Sequence, residues 1–66
     1  MKLTRYQWFG RYRIELWRAP NGNCNYAILP KGSNESIFSG WALNPTRAWK
    51  NAKDWLRRNR PDVMPQ

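Results

Sequence analysis

The sequence predicts an α+β fold in which a three-stranded antiparallel sheet carries one C-terminal helix on one face, in the order β-β-β-α. Two apolar runs in residues 11–30 have the alternation of half-buried strands, and a Pro-Asn-Gly turn separates them. Apolar residues at helical spacing follow residue 44. A sheet with one amphipathic helix is a two-layer arrangement, and 66 residues suffice for one such domain.

The first two strands are predicted to form a hairpin. The segment 19–22, with Pro and Gly in turn positions, favours a three-residue loop over 20–22. That loop sets Leu16 opposite Tyr26 and Ile14 opposite Ile28, so that the apolar residues share one face. The same register pairs the residues of the other face: Arg13 with Leu29, Glu15 with Ala27, and Trp17 with Asn25.

Residues 37–43 predict a third, weaker strand, with Ile37, Ser39 and Trp41 on one face and Phe38, Gly40 and Ala42 on the other. Gly40 weakens it because glycine supplies no side chain to pack. We expect the sheet face without the helix to carry Arg11, Arg13, Glu15, Trp17, Asn25, Ala27, Leu29 and Phe38.

Asn44-Pro45 predicts the helix start, because Asn is favoured as N-cap and Pro as the first helical residue. Pro61 predicts that the helix ends near Asn59. The apolar stripe comprises Ala48, Trp49, Ala52, Trp55 and Leu56, with Lys50, Lys53 and Arg57 on the opposite side.

We expect a single domain over residues 1–60 and a flexible tail over residues 61–66. Residues 1–10 are open between an arm and an extra strand, since Tyr6 and Trp8 could pair with the sheet or lie across the core.

Catalysis, cofactors and metals are not expected. The chain has no His, and its four carboxylates show no paired spacing, whereas acid–base chemistry needs a titratable group held near its partner. The single Cys24 excludes an intramolecular disulfide and is more typical of a small buried residue than of a reactive thiol. We therefore expect no enzyme activity and no small-molecule substrate.

The chain contains no apolar stretch typical of a signal peptide or of a membrane span. A small domain without disulfides or zinc suits a reducing compartment. We therefore expect a cytoplasmic protein without a membrane partner.

The net charge is +8, and it is concentrated at the two ends of the chain. Residues 1–18 and residues 44–66 each carry a net charge of +4, whereas residues 19–43 are neutral. Such a charge favours an acidic partner, and DNA or RNA is the leading hypothesis.

The sheet face without the helix is the predicted nucleic-acid site. Alternating Arg residues on a strand can place guanidinium groups in a major groove, where Arg recognises guanine. The predicted binding residues are Arg11, Arg13, Trp17, Arg18 and Leu29, with backbone contacts from Lys2, Arg5, Lys50 and Lys53. For each residue, a solubilising or protective role on an exposed strand is an equally good explanation.

The layout YRIELWRA, CNYAILPKG, SIFSGWA and NPTRAWKNAKDWLRRN resembles the plant AP2-type DNA-binding domain and, equally, the arm-type DNA-binding domain of tyrosine integrases. The resemblance covers about Tyr12 to Asn59. It is mainly one of element order, with Gly40-Trp41 before the helix and Ala48 and Ala52 within it.

The resemblance implies that the open sheet face enters the major groove through Arg11, Arg13, Trp17 and Leu29. The run of Arg and Trp residues in those families is not repeated in the second strand, which has the neutral residues Asn25, Ala27 and Leu29. The Gly-Trp pair and the Ala-rich helix also resemble short bacterial proteins of unknown function.

The alternative hypothesis is a protein-interaction module. An apolar patch of Trp17, Ala27, Leu29 and Phe38 with Arg residues at its rim would suit an acidic or apolar protein surface.

Overall fold

The computed structural model describes residues 2–63 and contains four strands followed by one helix. The elements are β1 (Lys2–Phe9), β2 (Tyr12–Arg18), β3 (Cys24–Pro30), β4 (Phe38–Ala42) and α1 (Pro45–Asn59). The strands form one antiparallel sheet in the order β1-β2-β3-β4. The α+β class and the single C-terminal helix are confirmed, but the expected three-stranded sheet is wrong because a fourth strand precedes it.

The additional strand, β1, covers most of residues 1–10, for which the sequence allows either an arm or an extra strand. Its pairing with β2 shifts register between Leu3 and Arg5, which indicates a bulge at that point. The shift breaks the strict alternation of residues 2–9, so the apolar pattern gives only a weak strand signal. Gly10, at φ 61°, then provides the tight turn into β2.

The hairpin of β2 and β3 has the predicted register. Ile14 lies opposite Ile28 and Leu16 opposite Tyr26, and the three pairs predicted for the other face are also present. Ala19 N–H donates to the Asn23 carbonyl at 2.9 Å, which closes the three-residue loop. The turn residues and the apolar pattern therefore favour the same pairing, and the structure confirms it.

The helix α1 begins where the sequence predicts it. The Asn44 side chain accepts a hydrogen bond from the Arg47 N–H at 2.8 Å, and Pro45 is the first helical residue. Ala48 and Ala52 are fully buried, which lets the helix approach β2, β3 and β4 closely. No helix within residues 2–63 is long and apolar enough to cross a membrane.

Phe38 lies on the helix side of the sheet, so its expected place on the opposite face is wrong. Phe38 is paired with Ile28 in the β3–β4 register, and directly paired residues share a face. Its ring stacks on Trp55 of α1 with centroids 4.9 Å apart. The residues of β4 on the other face are therefore Ser39 and Trp41.

Gly40 and Tyr26 form a matched pair on the helix side of the sheet. The two residues lie opposite each other, and a Cβ at position 40 would lie 2.6 Å from the Tyr26 hydroxyl. The aromatic ring thus fills the space that the missing side chain leaves. Gly40 consequently permits the close packing of β4 instead of merely weakening it.

The chain turns back towards the sheet after α1. The Arg60 guanidinium donates to the Tyr12 hydroxyl at 2.9 Å, and Val63 N–H donates to the Arg60 carbonyl at 3.0 Å. The predicted flexible tail over residues 61–66 includes residues 64–66, which lie outside the described residues.

Candidate functional site

The sheet has two sides of different character, and each carries a candidate binding surface. The side away from α1 is named the open face; it comprises Leu3, Tyr6, Trp8, Arg13, Glu15, Trp17, Asn25, Ala27, Leu29, Ser39 and Trp41. On the other side, a groove between β1 and α1 is named the basic groove; its cations are Arg5, Arg18, Lys50 and Lys53.

The open face is rich in exposed aromatic side chains. Tyr6 is 59% exposed and Trp41 is 60% exposed, and Trp8 and Leu3 are also exposed. Large apolar side chains in such number on one sheet face are not needed for the core, which lies on the helix side. Grouped exposed aromatic residues of this kind indicate a contact surface.

The two charged groups on the open face neutralise each other. Arg13 Nε donates to Glu15 Oε2 at 2.7 Å, and the Arg13 guanidinium carbon lies 5.3 Å from the centre of the Trp8 ring. The Trp17 indole N–H donates to the other oxygen of Glu15 at 3.1 Å. Glu15 therefore holds both the guanidinium and the indole in fixed orientations, and the face has no net charge among these groups.

A slot on the open face lies between Trp17 of β2 and Trp41 of β4. Trp17 and Trp41 are both paired with Asn25, one from each neighbouring strand, so they stand on either side of it. Asn25 lies directly between them, the small residues Ala27, Ser39 and Gly40 form the rest of the floor, and the space has a volume of about 420 Å³. This feature, named the tryptophan slot, offers flat apolar walls over a floor with polar groups.

A second, smaller depression lies towards β1 on the same face. It has a volume of about 310 Å³ and is lined by Leu3, Tyr6, Trp8 and the Arg13–Glu15 pair. The open face therefore provides two adjacent sites with aromatic walls, separated by the fixed Glu15 side chain.

The structure brings together only part of the predicted binding residues. Arg13 and Trp17 share the open face, but Leu29 is buried and offers little surface. Arg11 lies in the β1–β2 turn, with its guanidinium 4.0 Å from the Asp62 carboxylate. Arg18 lies on the helix side, where it lines the basic groove.

The predicted backbone contacts gather on the helix side instead. Arg5, Lys50 and Lys53 line the basic groove together with Arg18, in a space of about 450 Å³. Lys2 is paired with Arg18 at the end of the groove. Three of the predicted backbone-contact residues, Arg5, Lys50 and Lys53, therefore share one surface with Arg18, which the sequence pattern groups with the open-face residues instead.

Tyr6, Trp8 and Trp41 are the aromatic residues of the open face that the predicted site omits. The sequence pattern correctly predicts that Trp41 shares a face with Ser39. It also predicts Phe38 on the open face, which would put Trp41 on the helix side. The pairing of β4 with β3 reverses the assignment. Tyr6 and Trp8 alternate at a spacing of two, and this was the available signal for their common orientation.

Cys24 lies at the floor of the basic groove and is buried. Burial raises the pKa of its thiol above the ordinary value, and the positive charge of Arg18 lowers the pKa by a smaller amount. The neutral thiol is favoured, which is the state of an unreactive packing residue.

Within residues 2–63, no group of three or more His, Cys, Asp or Glu side chains is placed to hold a metal ion. Comparison of the chain with protein-family models, curated proteins and solved structures found no match. The function is therefore inferred from the two surfaces themselves.

Proposed function

We propose that the protein is a nucleic-acid-binding domain whose open face binds single-stranded DNA or RNA by stacking of the bases on tryptophan. The tryptophan slot is the observation that carries the proposal. Aromatic side chains on an open sheet are a common platform for unpaired bases, because every base has a flat face that can stack. The net charge of +8 supplies the general attraction to phosphate.

The geometry favours stacking over the recognition of duplex DNA by arginine in the major groove. Arg13 is the one arginine on the open face, and its guanidinium is already bound to Glu15 and lies near the Trp8 ring. The forked contact with guanine requires free N–H groups that point away from the protein. Because its Nε is bound to Glu15 and its side chain is only 22% exposed, Arg13 is poorly placed for an AP2-like or integrase-like contact.

The test compares binding of a fluorescent oligonucleotide of about 12 nucleotides with binding of the same sequence as a duplex, since small single-strand-binding folds cover about 4–16 nucleotides. Trp41→Ala removes one wall of the tryptophan slot. Stacking of one base is worth about 1–3 kcal/mol, so affinity for the single strand should fall about 5- to 150-fold.

Leu43→Ala is the matched control, because Leu43 is similarly exposed but does not line the tryptophan slot. It should bind as the parent does. Equal affinity of Trp41→Ala and the parent would contradict the proposal, as would tighter binding of the duplex than of the single strand.

A protein-interaction surface is the second candidate. The cancelled charge of Arg13 and Glu15 favours it, because an uncharged aromatic surface suits a protein partner without any need for phosphate. Absence of binding to either oligonucleotide at low salt would reject the nucleic-acid proposal and favour this alternative.

A further inference from the structure

The basic groove exists because the helix does not extend over the whole sheet. The backbone of α1 packs on β2, β3 and β4, whereas β1 lies beyond its flank. The helix-side residues of β1 are consequently left beside a channel whose other wall is the helix. The helix residues of that wall are Thr46, Trp49, Lys50 and Lys53; Thr46 lies three and four residues before Trp49 and Lys50, and Lys53 lies four and three residues after them, so they form one stripe.

The charge of the basic groove is of a single sign. Arg5 and Arg18 come from the sheet, Lys50 and Lys53 come from the helix, and no carboxylate lines the groove within the described residues. The ion pairs found within residues 2–63 all lie elsewhere, as Arg11–Asp62, Arg13–Glu15 and Arg57–Asp54. The four cations are therefore concentrated without local compensation, which favours an anionic ligand.

Arg5 is held in an orientation suited to such a ligand. Its guanidinium carbon lies 4.0 Å from the centre of the Trp49 ring, so the planar group rests against an aromatic surface. A guanidinium that rests on a ring face can still use its N–H groups for the paired hydrogen bonds that phosphate oxygens accept. Thr46 also lines the groove, whereas the Thr4 hydroxyl in the lining already donates to the Leu16 carbonyl at 3.2 Å.

The basic groove comes close to the open face at the end of β2. Arg18 lines the groove and directly follows Trp17, which forms one wall of the tryptophan slot. Lys2 lies opposite Arg18 on β1 and lines a shallow depression with it. A strand that leaves the slot past Trp17 thus meets Lys2 and Arg18 at the edge of the groove.

We propose that the basic groove binds the phosphate backbone of the nucleic-acid strand whose bases stack on the open face. This inference rests on the proposed function and adds a second contact region to it. The open face supplies flat surfaces without net charge, and the groove supplies the charge that the open face lacks. The two surfaces therefore divide base stacking and phosphate binding between the two sides of the sheet.

The experiment measures the dissociation constant of the single-stranded oligonucleotide over a salt series. Lys50→Gln combined with Lys53→Gln removes two cations from the basic groove. Each lost phosphate contact lowers the salt slope by about 0.7 for a single strand, so the rise in Kd between 50 and 200 mM salt should be about sevenfold smaller than for the parent.

Arg47→Gln combined with Arg58→Gln is the matched control. Both residues are exposed on α1 and neither lines the groove, so the same charge is removed from the same helix. The control should keep a salt slope close to that of the parent. Thermal melting of each variant verifies that it is folded, which is expected because Lys50, Arg47 and Arg58 are exposed.

Trp41→Ala separates the failure of this inference from the failure of the proposed function. Equal salt slopes for the groove variant and the control, with weaker binding by Trp41→Ala, would overturn phosphate binding by the basic groove and leave base stacking in place. A lower slope for the groove variant, with unchanged affinity of Trp41→Ala, would overturn base stacking and support the groove. Absence of binding by the parent at low salt would overturn both.

Discussion

The two sides of the sheet show how a small domain can separate apolar contact from charge. On the open face, Arg13 and Glu15 cancel each other and the remaining surface is largely aromatic. On the helix side, the core is apolar and buried, and the cations lie at its margin, in the basic groove. A positive chain can thus present an uncharged platform, because its charge is distributed around that platform and not on it.

This separation also concerns stability, since the two sides contribute to it unequally. Ile14, Leu16, Ile28 and Leu56 are essentially inaccessible on the helix side. Apart from the buried Leu29, the open face holds half-buried and exposed groups instead. Substitutions of these four buried residues should therefore unfold the protein, and substitutions of the exposed open-face residues should have little effect on the fold.

The largest effect is expected for Ile14→Ala. Ile14 is fully buried opposite Ile28, and loss of a buried isoleucine side chain costs about 2–5 kcal/mol. A domain of this size has little more stability than that, so the variant should be mostly unfolded in a urea titration. Ser39→Ala, on the exposed side of β4, is the control and should change stability by less than about 0.5 kcal/mol. Equal melting temperatures of Ile14→Ala and the parent would show that the helix side is not the core.

Gly40→Ala should have the next largest effect, although it adds a single methyl group. That group would lie 2.6 Å from the Tyr26 hydroxyl and 2.8 Å from the ring carbon that bears it. The ring or β4 must move, and overpacking of this kind costs about 1–3 kcal/mol. The free energy of unfolding measures the effect, and the same substitution in a Tyr26→Leu background should cost less. A parent-like stability of Gly40→Ala would mean that Tyr26 does not occupy this space.

The contrast between β1 and the β2–β3 hairpin explains how much of the fold is predictable from the sequence. The hairpin has a turn signal and an uninterrupted alternation of apolar residues, so its pairing follows from local pattern. In β1, the register shift between Leu3 and Arg5 breaks the alternation, and pairing with β2 decides which face each side chain takes. Pairing between strands is a tertiary property that residues 2–9 alone do not specify.

The same reason limits the prediction of the site. The two faces of β4 were correctly sorted, but only pairing with β3 shows which of them contacts the helix, and Trp41 and Phe38 depend on that choice. The basic residues were recognisable by type. Their assembly in one groove is not predictable from the sequence, because it follows from the position of α1 beside β1.

A smaller effect is expected for Asn44→Ala at the border of the basic groove. The Asn44 side chain caps the helix turn that contains Pro45 and Thr46, both of which line the groove. Loss of the cap should cost about 1 kcal/mol, which lowers the melting temperature by about 4–8 °C in a domain of this size. Asn34→Ala, at an exposed loop position, serves as control. An unchanged melting temperature of Asn44→Ala would indicate that the cap does not stabilise the helix start.

The smallest effect concerns the titration of Cys24, which tests how close the cations of the basic groove lie to the core. Burial raises the thiol pKa from 9.0, and Arg18 partly offsets this increase. Arg18→Gln should therefore raise the pKa further, and the pH midpoint of thiol alkylation should move to higher pH than in the parent. Arg58→Gln removes an equal charge outside the groove and should leave the midpoint unchanged.

The raised pKa also predicts how stability depends on pH. The folded state binds the thiol proton more tightly than the unfolded chain, so its contribution is complete below the unfolded value near 9.0 and is lost as pH rises through the folded pKa. Tyr26 is shifted in the same direction by burial, from 10.0, and adds to the loss at still higher pH. Urea titrations of the parent and of Cys24→Ser across this range separate the two groups. The decline that begins near the thiol pKa should be absent in Cys24→Ser, and its persistence would assign it to another group and contradict the burial of Cys24 as a neutral thiol.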